Sequence, residues 1–136
     1  MRVVHLVFFM CTVALFSWTG PDARWVPARV VSIEYPLLAL QSRTQGIVMV
    51  RCAIASDGTV SEAKITSGSI LLGEAVLQRI SEWRFRSTNA STPTDGVILT
   101  FNFVLEQPAQ TTPRTKFVYD YPYNTTIISQ PVLRSH

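Results

Sequence analysis

From residue 96 to 105 the side chains alternate. Val97, Leu99, Phe101, Phe103 and Leu105 share one side, and Ile98, Thr100, Asn102 and Val104 share the other. Successive strand residues point to opposite faces, so a period of two predicts a strand. A second strand is predicted over residues 47–55. It is apolar on both sides, with Val48, Val50, Cys52 and Ile54 on one and Ile47, Met49 and Ala53 beside Arg51 on the other. A strand covered on one side alternates more cleanly, so both faces of this one are expected to be covered. Ser56-Asp57-Gly58-Thr59 follows. Asp-Gly supplies the positive φ of a tight hairpin turn, which makes 60–66 the returning strand. Val60, Ala63 and Ile65 break the period there, and a bulge near Ser61 and Glu62 would restore it.

The period changes over residues 71–82. Leu72, Val76, Ile80 and Trp83 fall on one helical face, with Glu74, Gln78, Arg79 and Glu82 mostly on the other. A short helix is predicted over 35–43, with Pro36 at its first position, where a missing N–H costs nothing. Trp83, Arg84 and Phe85 leave the long helix as large residues that must pack. Residues 87–95 are polar and carry Pro93, a loop, and 20–29 read as a linker interrupted by Pro21 and Pro27. The order helix, strand, strand, helix, strand predicts an α+β fold. It would be a small antiparallel sheet of about three strands with two helices packed on one face. Such a sheet has two edges, and at least one is expected to be open unless the tail covers it.

Residues 107–136 form that tail, broken by Pro108, Pro113, Pro122 and Pro131. Its aromatic cluster, Phe117, Tyr119, Tyr121 and Tyr123, has two readings. It is a recognition segment, or a strand that packs back on the domain, which is the commoner use of aromatic side chains.

At the other end, Arg2 precedes an apolar run from Val3 to Trp18. About 16 residues span roughly 24 Å as a helix, short of the ~30 Å hydrocarbon core of a bilayer. The run suits a secretory signal, and Ser17 with Thr19 is its best, poor, cleavage site. An uncleaved anchor is equally compatible. The chain thus divides into a signal or anchor (1–20), a linker (21–32), a domain (33–106) and a tail (107–136), and the protein is expected to be exported. Cys11 lies in the leading segment, and Cys52 in an apolar strand reads as a buried small hydrophobe.

Composition narrows function mainly by exclusion. Of 136 residues, 47% are hydrophobic and 15% charged, too apolar for a disordered chain. The net charge of +3 comes from scattered single residues, with no basic run to track a phosphate backbone, so nucleic acid is not an expected partner. The two histidines, His5 and His136, stand at the extremes of the chain and cannot complete a Ser-His-Asp or Cys-His arrangement in the domain. No Cys/His spacing suits a metal, no glycine-rich phosphate loop occurs, and Asp57 has a turn role. No catalytic, metal or cofactor site is therefore expected. Asn89-Ala90-Ser91 and Asn124-Thr125-Thr126 match the glycosylation acceptor pattern, which matters only in a host that glycosylates its exports.

Several short signs occur in order: Tyr35-Pro36 with Ala39, Gln45-Gly46-Ile47-Val48, Asp57-Gly58-Thr59-Val60, Ile65-Thr66-Ser67-Gly68-Ser69, Glu74-Ala75, Trp83-Arg84-Phe85, and Phe101-Asn102-Phe103. In this order the segment resembles the C-terminal domain of the TonB family. The resemblance implies a periplasmic binding module and energy transducer rather than an enzyme. Such a module grips a segment of an outer-membrane transporter as an added strand. It also implies a site: Tyr35 and Pro36 with the strand Val97, Ile98, Leu99, Thr100, Phe101, Asn102, Phe103 and Val104. Coupling to an inner-membrane motor complex would follow if the anchor is retained; the resemblance would make His5 its contact, whereas its place four residues from the start reads first as a signal-segment residue. The resemblance also implies that two copies can pair as a homodimer through exposed strands. Two departures stand beside this. Residues 19–32 reach only about 50 Å fully extended, short for bridging two membranes. The tail runs past the family's usual end and could hold the strand edge in cis. The other reading is a free-standing exported envelope scaffold domain with no energy-transducing role.

Overall fold

The computed structural model describes residues 25–88, 96–107 and 115–131. The expected signal or anchor with His5 and Cys11, the Asn89 acceptor and His136 lie outside the described residues. Nine elements follow one another: β1 (Trp25–Arg29), α1 (Leu37–Ser42), β2 (Gly46–Ile54), β3 (Val60–Ser67), α2 (Ile70–Ile80), β4 (Arg84–Ser87), β5 (Val97–Leu105), β6 (Lys116–Asp120) and β7 (Asn124–Ser129).

The fold is α+β, but the sheet is larger than expected and mixed. Five strands run in the order β3-β2-β5-β7-β6, and β1 and β4 form a separate two-stranded ribbon. β2 pairs antiparallel with β3 and β5, whereas β5 pairs parallel with β7. The three-strand expectation covers β3, β2 and β5. The two further strands come from the tail, where proline and threonine masked the pattern, and the ribbon draws β1 from the expected linker. Pro27 does not prevent β1, because β1 pairs on one side only and its register shifts between Pro27 and Arg29.

The Asp-Gly hairpin and its bulge form as the pattern requires. Ala53 pairs with Glu62 and Ile54 with Val60, which leaves Ser61 as the extra residue, its Oγ donating to the Ala53 carbonyl at 3.1 Å. Asp57 Oδ1 accepts from the Thr59 N–H at 3.0 Å and from Thr59 Oγ1 at 2.7 Å. These bonds hold the Asp57 carboxyl below its ordinary range. Gly58 has φ +87°, and a Cβ there would collide with the Phe85 carbonyl. The close approach is used: the Phe85 N–H donates to the Gly58 carbonyl at 2.8 Å and ties the hairpin to β4. Gly58→Ala is expected to lose about 1–3 kcal/mol, from the strained φ and the displaced β4 together. Chemical denaturation of the two proteins checks this.

One face of the sheet is the core face. Val48, Val50, Cys52 and Ile54 of β2, Leu99, Phe101 and Phe103 of β5 and Ile127 of β7 join Leu72, Val76 and Ile80 of α2 and Ala39 of α1 in a single cluster. Trp25 and Phe85 add the ribbon to it. The other face stays open: Ile47 is 56% exposed and Ile98 49%. β2 is thus covered on one side, against the expectation from its apolar pattern. Isolated apolar residues on a surface are ordinary and need no cover.

Candidate functional site

The predicted site consists of one strand and the entry to one helix. In β5 the odd-numbered side chains turn inward and are buried at Leu99, Phe101 and Phe103, while Ile98, Thr100, Asn102 and Val104 occupy the opposite face. Side chains of a strand leave its two main-chain edges free, and those edges decide what it can bind. The first edge is taken by β2, with Gly46 opposite Phe103 and Cys52 opposite Val97. The second is the one at which a three-stranded sheet would end.

In this chain β7 lies on that second edge. Six residue pairs run in parallel from Thr100 with Asn124 to Leu105 with Ser129. The Thr100 N–H donates to the Tyr123 carbonyl and the Glu106 N–H to the Ser129 carbonyl, each at 2.9 Å, which closes the ladder at both ends. β6 folds back antiparallel on the far side of β7. Among the described residues the open edges of this sheet are therefore β3 and β6, and β7 makes β5 interior from Thr100 to Leu105, while Val97, Ile98 and Leu99 have no partner on β7.

Side chains fasten the hairpin. Thr125, Ile127 and Ser129 face inward and are 3%, 0% and 2% exposed. The Tyr119 ring meets Trp83 edge-on with centroids 6.3 Å apart, and its hydroxyl donates to the Pro122 carbonyl at 2.9 Å. Tyr123 donates to the Trp25 carbonyl at 2.7 Å. Phe117 and Tyr119 of the tail's aromatic cluster thus belong to a packed strand and Tyr123 packs from the turn, while Tyr121 is 57% exposed. A sequence signal for β7 exists in Thr125, Thr126, Ile127 and Ile128, four β-branched residues in a row.

Tyr35 stands near the C-terminal end of β5, beside the stretch that β7 pairs, with Pro36 next to it. The Tyr35 ring packs edge-on against Phe103 at 5.3 Å, and its hydroxyl donates to the Thr44 carbonyl, which closes the loop around α1. Pro36 is the N-cap of α1 rather than its first helical residue. Beside it opens a shallow cavity of about 360 Å³, lined by Glu34, Tyr35, Pro36, Leu71 and Glu74 among others. The fold thus brings Tyr35 to β5 through the core, while Pro36 faces the groove between the helices.

Burial pushes the Tyr35 hydroxyl from 10.0 up to about 12 and the Cys52 thiol from 9.0 up to about 12. In both, folding favours the protonated form. Below about pH 8 both groups keep their protons in either state, and stability is flat. Above that, the unfolded chain releases protons that the folded chain retains, so stability falls as pH rises towards 12. Denaturation midpoints at pH 8 to 11 are expected to decline at the alkaline end, and less steeply in Tyr35→Phe.

Among the described residues no three His, Cys, Asp or Glu side chains are grouped to hold a metal, and no helix is long and apolar enough to cross a membrane. The family model of the Gram-negative bacterial TonB protein C-terminal matches residues 31–105. The chain belongs to the TonB C-terminal family. The match begins after β1 and ends with β5, so the tail hairpin lies outside it. The chain is also similar to the solution NMR structure of the Pseudomonas aeruginosa TonB C-terminal domain. The two share 26% identity over 59% of this chain and 83% of that one, with a TM-score of 0.43. No curated protein matches.

Proposed function

We propose that this TonB-family chain is a non-enzymatic binding module of the bacterial envelope. It takes up a segment of an outer-membrane transporter as an added strand, in energy-coupled transport. The site is the β5 edge, Val97 to Val104, with Tyr35 and Pro36 beside it. The observation that carries this reading is β7 itself. A strand from outside the family span already pairs with its Thr100–Leu105 part, which supports reading the edge as one that takes a strand in parallel. Main-chain hydrogen bonds give such a contact its affinity, and the side-chain slots beneath give it selectivity. Coupling to an inner-membrane motor belongs to this reading only if the N-terminal segment stays as an anchor. Pairing of two copies would use β3 or β6.

A second reading has an observation of its own. Ile127 is fully buried and Tyr123 is bonded to Trp25, which suits a free-standing exported scaffold with a permanently closed sheet. Photo-crosslinking from Asn102 in cells separates the two, with uptake of siderophore or vitamin measured in a deletion strain. Adducts with an outer-membrane transporter and lost uptake are expected. Adducts confined to the tail, with uptake unchanged, would establish the scaffold. The mass of the chain from fractionated cells decides the anchor: full length in the inner membrane retains it, and a chain shortened near Thr19 lacks it.

A further inference from the structure

We infer that the hairpin β6–β7 is a built-in competitor for the β5 edge. We further assign its inward residues Thr125, Ile127 and Ser129 as the pattern that an incoming strand must match. This rests on the strand-addition reading above and deepens it with a gate and a sequence preference.

Three features make the hairpin separable. First, it is terminal in the sheet: only β7 contacts β5, and β6 has no strand on its outer side among the described residues. Second, it is local. β6 and β7 pair with each other over five residues through the turn Tyr121-Pro122-Tyr123, so they can leave as one unit. Third, Ile127 is its one fully buried apolar side chain among the described residues; Phe117 and Tyr123 pack partly buried at the margin of the core and Tyr119 against Trp83, while α1, α2, the ribbon, β2 and β5 provide the rest. The family span ends at residue 105, before the hairpin begins.

Two features make it a competitor rather than an inert cover. A two-stranded hairpin has little stability alone, so its place depends on docking against β5. The tether sets an effective concentration on the order of millimolar for short connections, which an external strand must overcome. The apparent affinity for such a strand is then lowered by the fraction of molecules with an open edge.

The slot beneath β7 also defines what fits. Inward positions alternate a small hydroxyl, a β-branched aliphatic and a small hydroxyl, and all three are buried. The central slot has no room for a charge. The partner segment is thus an extended stretch that runs parallel to β5, with an aliphatic residue at its centre and small residues two places to each side.

The test uses the full chain in a Cys11→Ser background, and its probe is a labelled peptide with the sequence of Asn124 to Ser129. Asn102 and Thr126 are register partners on the outward face. Neighbouring strands bring their Cα atoms within disulfide range, so Asn102→Cys with Thr126→Cys locks the hairpin on oxidation. Cys52 is buried and does not compete. The oxidised form is expected not to bind the peptide, and reduction to restore binding. Ile127→Ala is expected to bind about tenfold tighter or more than the unaltered chain, because more molecules are open. Tyr123→Phe, a milder loosening, should shift in the same direction. A peptide with Asp at its central position should not bind.

Equal binding by the locked and reduced forms overturns the gate. So does failure of the folded, loosened variants to bind the peptide. If the peptide behaves as expected but transporter segments bind no form, the gate stands and the transporter reading falls. If a transporter segment binds the locked form fully, the gate falls and the transporter reading survives on another surface.

Discussion

Trp83→Ala is expected to lose about 3–5 kcal/mol of stability, the usual range for a large aromatic removed from a core. Trp83 is 1% exposed and stands where three parts of the chain meet. Its ring faces Phe101 of β5 at 5.8 Å, Phe85 of β4 at 6.5 Å and Tyr119 of β6 at 6.3 Å. Its Nε1 donates to the Val31 carbonyl at 3.0 Å, which anchors the segment between β1 and α1. Alanine removes all of these contacts and leaves the carbonyl without its donor. Small domains have only ~5–15 kcal/mol in total, so the variant should be partly unfolded at 37 °C. Urea denaturation measures the loss. Trp83→Phe separates its parts: the ring contacts largely persist, the hydrogen bond goes, and about 1–2 kcal/mol should be lost. If Trp83→Ala unfolds at the same urea concentration as the unaltered chain, Trp83 does not join the three parts.

The sequence showed this residue clearly, and the reason is local. Trp83 continues the apolar stripe of Leu72, Val76 and Ile80, and a helical stripe is legible from spacing alone. The alternation of β5 and the Asp57-Gly58 turn were legible for the same reason, since each depends on near neighbours in sequence. What was not legible depends on distant partners. β1 carries Pro27, which reads as a breaker until β4 is seen to pair on one side of it only. β4 is four residues long and has too few positions to show a period. β7 has a strong β-branched run, but nothing in it says that it enters the sheet beside β5, skipping past β6 and running in parallel. That choice is made by Ile127, which fits the core, and by the main-chain groups of β5. The same local legibility applied to the site. The strand β5 was identifiable from its alternation, its place as the site came only from the resemblance to the TonB family, and the occupant of its edge was a tertiary fact.

Ile127→Ala tests how far that occupant is independent of the rest. Deleting a fully buried isoleucine side chain to its first carbon is expected to cost about 2–5 kcal/mol. The spread reflects how well neighbours close the gap, and a residue on a terminal hairpin allows more closure than one on a central strand. Where the cost falls matters more than its size. If hairpin and domain unfold only together, the loss appears in the global urea transition, and amide exchange quickens equally in β2, β5 and β7. If the hairpin opens by itself, the loss falls on the docked state of the hairpin alone. At 1.4 kcal/mol per tenfold, amide exchange in β7 should then quicken by about 30-fold or more. Amides of β2 and α2, which open only with the whole domain, should change little. The second result is expected, because Ile127 is the one buried apolar residue of the hairpin while Val48, Val50, Leu99 and Phe101 hold the remaining sheet against α2. Uniform acceleration would make the hairpin an integral part of the fold and the β5 edge permanently closed.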